Sequence, residues 1–204
     1  MTAEVIKEAY WRYYLSLEAQ VVELERFIEF DLRVNGNTYS ARLLELYRAI
    51  CSEVDVIGKI LAKECDASFV HNGKTGIMSW WYVIQNCYRS IQSEQVFFKK
   101  TTLIPWKKFF VEKKDSRYVI SSAVADSSIP AWWTSYNKVK HSRTDNDCNG
   151  LAYYSHANLA NVIYALAGLY VLETMLVEKV NARVFGSSLF SCKGHDVFSS
   201  MMLW

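Results

Sequence analysis

Residues 4–33 carry Tyr10, Tyr14, Leu17, Val21, Leu24 and Ile28 at steps of 4, 3, 4, 3 and 4. Those steps trace one apolar seam along a long helix. The stretch "NGNT" at 35–38 then breaks the chain, and Thr38 or Ser40 can cap the next helix by accepting from free backbone N–H groups. A second seam, Leu43, Leu46, Ile50, Ile57 and Ile60, predicts a helix over about 39–65. Two long seamed helices joined by a few polar residues fold back as an antiparallel pair. The predicted class is therefore all-α, a helical bundle built on that pair. Only 2 prolines and 8 glycines interrupt the 204 residues, which favours long helices.

Further helices are predicted over 79–93, 130–144 and 153–180, with Pro130 suited to a first turn. The stretch "LANVIYALAGLYVLETMLV" at 159–177 is interrupted by Asn161 and Glu173, and its unbroken apolar core, Val162 to Leu172, has 11 residues. A membrane span needs about 20, so the expectation is a helix buried in the bundle, with no membrane partner. Between 96 and 114 the texture changes. Six lysines stand against Glu112 among paired aromatics, a local charge of +5. The β-branched and aromatic content suggests a small extended or β-hairpin insertion over 96–129 within a single domain, 1–204. The segment 181–204 is apolar enough to pack but has no clear period.

The five cysteines are an odd count without a Cys-x-x-Cys pair, so they read as free thiols of a reducing cytosol. Cys192 and His195 have half the spacing of a zinc site, and the other half is missing. No metal and no cofactor is expected. The N-terminus lacks the pattern of a signal peptide, and the expected location is cytoplasmic. A net charge of +2 gives no whole-protein field for nucleic acid, so any such contact must be local.

The local candidate is "WWTSYNKVKHSR" at 132–143. On a helix, Trp133, Asn137, Lys140 and His141 share one stripe, with Tyr136 on the neighbouring one. His141 is the side chain there whose ordinary pKa lies near neutrality. Lys140 and Arg143 can hold a phosphate, and Asn137 can fix the imidazole tautomer. That set supports metal-free cleavage of RNA, with His141 moving the proton of a 2′-hydroxyl and the cations stabilising the transition state. The plain alternative is a solvated basic helix face. Glu53 sits on the second seam between Ile50 and Ile57, where a carboxylate is costly unless paired or wet. It is either a seam edge or the partner of His141, Arg143 or Lys59.

A helical hairpin, a helix containing "YNKVKH" and a final apolar helix resemble the HEPN superfamily. These are small helical domains, usually dimeric. Many are metal-independent endoribonucleases of toxin–antitoxin and antiphage systems, and others are catalytically silent. The family motif is an arginine, commonly then a polar residue, and a histidine four to six residues after the arginine. Asn137 and His141 match it, and Tyr136 stands where the arginine belongs. Tyrosine is neutral at pH 7, so it cannot replace that charge. A subfamily tyrosine two residues after the histidine is Arg143 here. The resemblance implies a homodimer and a role with RNA or with a partner protein of the same defence system. Its two expected forms are a ribonuclease with His141 as general acid/base, or a silent module that binds RNA, a nucleotide or a protein. Lys99, Lys100, Trp106, Lys107 and Lys108 of the insertion are the expected further contacts with single-stranded RNA, by backbone charge and base stacking.

Overall fold

The computed structural model describes residues 1–73, 75–192 and 198–199. It corrects the all-α expectation: about 54% of the chain is helical and 12% is strand, so the architecture is mixed α and β. The chain starts with a helical run made of α1 (Ala3–Val5), a π-helical stretch (Ile6–Trp11), α2 (Arg12–Glu23) and a 3-10 turn (Leu24–Arg26). The seam predicted to hold a helix to residue 33 stops there. Ile28 and Phe30 still pack on the core, but from non-helical chain, before the short α3 (Leu32–Asn35). Burial rewards the apolar side chain without requiring the helix.

α4 (Ala41–Cys65) follows the second seam closely. Ser40 is its N-cap, with Oγ accepting from Leu43 N–H at 3.1 Å. The first helical run lies antiparallel to α4. The Met1 ammonium bonds Glu64 at 2.7 Å near one end, and Arg42 donates to Gln20 at 2.7 Å near the other. α7 (Leu159–Lys179) packs along α4, and every residue from Ala165 through Val177 is buried. It is long and apolar enough to cross a membrane, yet 83% of its most apolar window is buried inside the protein.

α5 (Ile77–Cys87) runs in the same direction as α4, because the loop after Cys65 returns alongside it. Gly58 allows the close approach: a Cβ there would lie 2.7 Å from the Trp80 ring. Lower down, Cys65 meets Cys87. This parallel course puts the N-terminus of α5 beside the middle of α4.

The segment predicted as an insertion is built into the core. β1 (Val96–Phe98) and β2 (Thr101–Leu103) form one hairpin, and β3 (Val111–Lys114) with β4 (Arg117–Ile120) forms another. Lys99 and Asp115 take positive φ, 50° and 52°, in the two-residue turns. β6 (Phe190–Cys192) pairs antiparallel with the free edge of β1, giving the order β2-β1-β6, and β5 (Val184–Phe185) pairs with β7 (Phe198–Ser199). Between the hairpins, Trp106 is fully buried. It stacks on Trp81 with ring centroids 4.4 Å apart, and its Nε1 donates to the Gly168 carbonyl at 3.2 Å. A Cβ at Gly168 would lie 2.9 Å from Trp132, so this glycine admits the indoles against α7.

Candidate functional site

α6 (Ala131–His141) carries the motif, and its N-terminal half is locked to the core. Trp132 Nε1 donates to Pro105 O at 2.9 Å, and Tyr47 of α4 donates its hydroxyl to the Trp132 carbonyl. Val139 is fully buried near the C-terminal end. The helix therefore lies against α4 with its polar side facing a cleft.

That cleft is a cavity of about 790 Å³ between α4, α5, α6 and the β3–β4 hairpin. α4 contributes Ser52, Asp55 and Lys59; α6 contributes Trp133, Tyr136, Asn137 and Lys140. The hairpin adds Arg117 and Tyr118, and the first turn of α5 adds Gly76, Ile77 and Met78. A second groove shares Ser52, Tyr136 and Lys140 with it and extends to Arg48.

The charges there are unevenly paired. Asp55 accepts from Trp80 Nε1 at 3.0 Å and from the Lys59 ammonium. Arg117 and Lys140 have no carboxylate partner among the described residues, and Lys140 lies 5.7 Å from the centroid of the Tyr136 ring. Gly76 is in extended conformation and brings no side-chain cap to α5. The amides of Ile77 and Met78 therefore meet no acceptor among the described residues. Free N–H groups and the helix dipole make such a turn attractive to anions.

The predicted site residues divide. Trp133, Tyr136, Asn137 and Lys140 line the cleft. His141 is exposed at the last residue of α6, outside the cleft, and shares no hydrogen bond with Asn137. Arg143 is exposed beyond it, and its carbonyl accepts from Tyr154 N at 3.0 Å. Tyr136 is only 7% exposed and packs edge-on to Tyr47. Burial raises its pKa, with Cys51 and Asp55 adding to the effect and Arg48 opposing it. A neutral, packed phenol is the opposite of an exposed arginine.

Glu53 finds none of its expected partners. Lys59 belongs to Asp55, and His141 and Arg143 stand elsewhere. Glu53 instead lies near Glu173 of α7, and desolvation raises its pKa. Of the expected contacts on the first hairpin and after it, Trp106 is withdrawn into the core and has no face to offer a base. Lys99 pairs with Glu25 and Lys108 with Asp126, the latter at 2.8 Å. Lys100 and Lys107 are exposed. His195 of the half zinc spacing lies outside the described residues, and among those residues no cluster of metal-ligating side chains forms.

Arg117, Ser52 and the first turn of α5 carry no signal in the sequence that marks them as site residues. They come from separate elements that only the fold brings together. A second histidine also escapes a reading by motif. His156 Nε2 lies 3.1 Å from Asp147, and the Asp147 carboxylate also accepts from the amides of Asn149 and Leu151. Those bonds hold Asp147 below the usual carboxylate range, the Leu151 amide first. The Tyr153 and Tyr154 amides of this loop bond the carbonyls of Asp145 and Arg143, so it braces the chain leaving α6.

No family model matches the chain, and no curated protein and no solved structure matches it.

Proposed function

We propose that this chain is a HEPN-like module of the defence or toxin–antitoxin type that binds RNA or a nucleotide without cleaving it. The observation that carries the reading is the cleft, where Asn137 and Lys140 of the motif helix stand with Arg117 around a cavity large enough for such a ligand. The buried Tyr136 supports the silent form, since no arginine occupies the motif position and the phenol is committed to packing. The reading includes a cytoplasmic location, in line with free cysteines among the described residues. It also includes a homodimer or a partner protein of the same system.

The test is an electrophoretic shift of single-stranded RNA at low salt, repeated as salt is raised. Binding should weaken with a slope of about 0.7 per phosphate contact, and Lys140→Ala with Arg117→Ala should flatten it. Absence of RNA and nucleotide binding at low salt ends the reading.

A second reading keeps the ribonuclease. Lys140, His141 and Arg143 are exposed together at one end of α6, a placement that leaves them available to a second copy. In that case cleavage persists in chelator, leaves 2′,3′-cyclic phosphate ends, and falls by about 10² to 10⁴ in His141→Ala. Intact RNA with both the natural chain and Tyr136→Arg excludes it.

A further inference from the structure

The cleft offers more than general basicity. Lys59 is neutralised by Asp55, while Arg117 and Lys140 remain without a carboxylate among the described residues. Two unpaired positive charges suit a dianion better than a monoanion. The uncapped first turn of α5 lines the same cavity and adds N–H donors at Ile77 and Met78. An internal phosphodiester carries one negative charge and two free oxygens. A terminal phosphate monoester carries about −1.5 to −2 at pH 7 and three acceptor oxygens.

We infer that the cleft binds a terminal phosphate monoester in preference to an internal phosphodiester. The monoester is the end of a free nucleotide or of a 5′-phosphorylated RNA strand. The inference rests on the reading of the chain as an RNA- or nucleotide-binding module and adds which chemical group it recognises. The Arg117 guanidinium meets two phosphate oxygens through its planar fork, and Lys140 supplies a point charge from α6. The remaining cavity, walled by Trp133, Tyr118 and Asn137, takes the attached sugar and base.

Gly76 makes the inference separable from folding. Its backbone is extended, and a Cβ there would meet nothing within 4 Å. Gly76→Asp places a carboxylate at the N-cap, where it accepts from the α5 amides and occupies the position of the anion.

The experiment is calorimetric titration at low salt and pH 7.5 with one short RNA in 5′-phosphate and 5′-hydroxyl forms. A nucleoside 5′-monophosphate, its methyl ester and the nucleoside complete the set. The phosphorylated forms should bind about tenfold tighter or more than their controls, the scale of one charge-assisted contact. Lys140→Ala and Arg117→Ala should erase the difference. Gly76→Asp should erase it with Tm held or raised. The preference should fade as pH falls through about 6, where the monoester takes up its second proton. Nucleotide binding without RNA binding supports the inference with the small molecule as its source. Equal affinity for both RNA forms overturns the inference and leaves RNA binding standing. No binding to any of the ligands overturns both.

Discussion

The two sides of α4 both carry carboxylates and treat them in opposite ways. On the cleft side, Asp55 accepts from an indole and from Lys59. On the α7 side, Glu53 is half-buried and lies near Glu173, which is fully buried with neither carboxylate oxygen hydrogen-bonded among the described residues. Burial first, and then the charge of Glu53, push the Glu173 carboxyl well above the usual range. Burial thus favours the protonated form of Glu173, held in a helix contact at the cost of unmet hydrogen bonds. On the cleft side the carboxylate is paired and reachable by solvent, and on the α7 side burial disfavours its charge. α4 thus has a working side and a structural one.

The largest expected effect would break both sides at once. Trp106 touches α7 at Gly168 and stacks on Trp81 of α5, while Trp132 of α6 packs edge-on against it. Trp106→Ala should destabilise the protein by about 3–5 kcal/mol, the usual scale for emptying a large aromatic site. Urea denaturation followed by circular dichroism measures it. A loss below about 1 kcal/mol would mean that the core closes over the gap, a mild response for such a site.

A smaller effect isolates the α7 side. An acid whose folded pKa is raised keeps its proton in the folded state after the unfolded chain has lost it. Its favourable contribution is therefore complete below the unfolded value, 4.5 for a glutamate, and is lost as pH rises toward the folded one. Glu173→Leu removes both that slope and the unmet oxygens. The variant should be more stable than the natural chain by about 1–3 kcal/mol at pH 8, with a smaller gain at pH 5. Equal gains at the two pH values would show that packing alone changed.

The sequence exposed these two sides unequally. α4 was legible because its seam and the Ser40 cap agree, and both act locally. α7 was legible because its apolar run has too few polar breaks to face water. The end of the first helical run was not, since Ile28 continues the seam although the helix has stopped at Arg26. Trp106 looked like a surface residue because lysines follow it at 107 and 108, yet the turn sends the indole inward and the lysines out. The β6 strand is too short to show alternation, and its partner β1 lies far back along the chain. Of the site, the sequence displayed one wall, Trp133 to Lys140 on α6. The second cation, Arg117, arrives on a hairpin, and the α5 turn arrives through a parallel course whose close approach Gly58 allows. His141 drew attention through its chemistry, but one residue's rotation past Lys140 takes it out of the cleft.

The smallest effect on stability should be the most informative about the cleft. Asp55→Asn removes the ion pair with Lys59 and keeps an oxygen that accepts from Trp80 Nε1. Both members of the pair are partly exposed, so the loss of stability should stay below about 1 kcal/mol. Lys59 then faces the cavity without a counter-charge, and three unpaired cations stand where two stood. Affinity for a phosphate monoester should rise severalfold at low salt, and the gain should shrink as salt screens the cleft. A fall in affinity would mean that Asp55 itself contacts the ligand, for instance through a sugar hydroxyl. A large fall in stability would mean that the Asp55–Trp80 contact holds α5 to α4, and the two sides of the helix would then be less separable than their chemistry indicates.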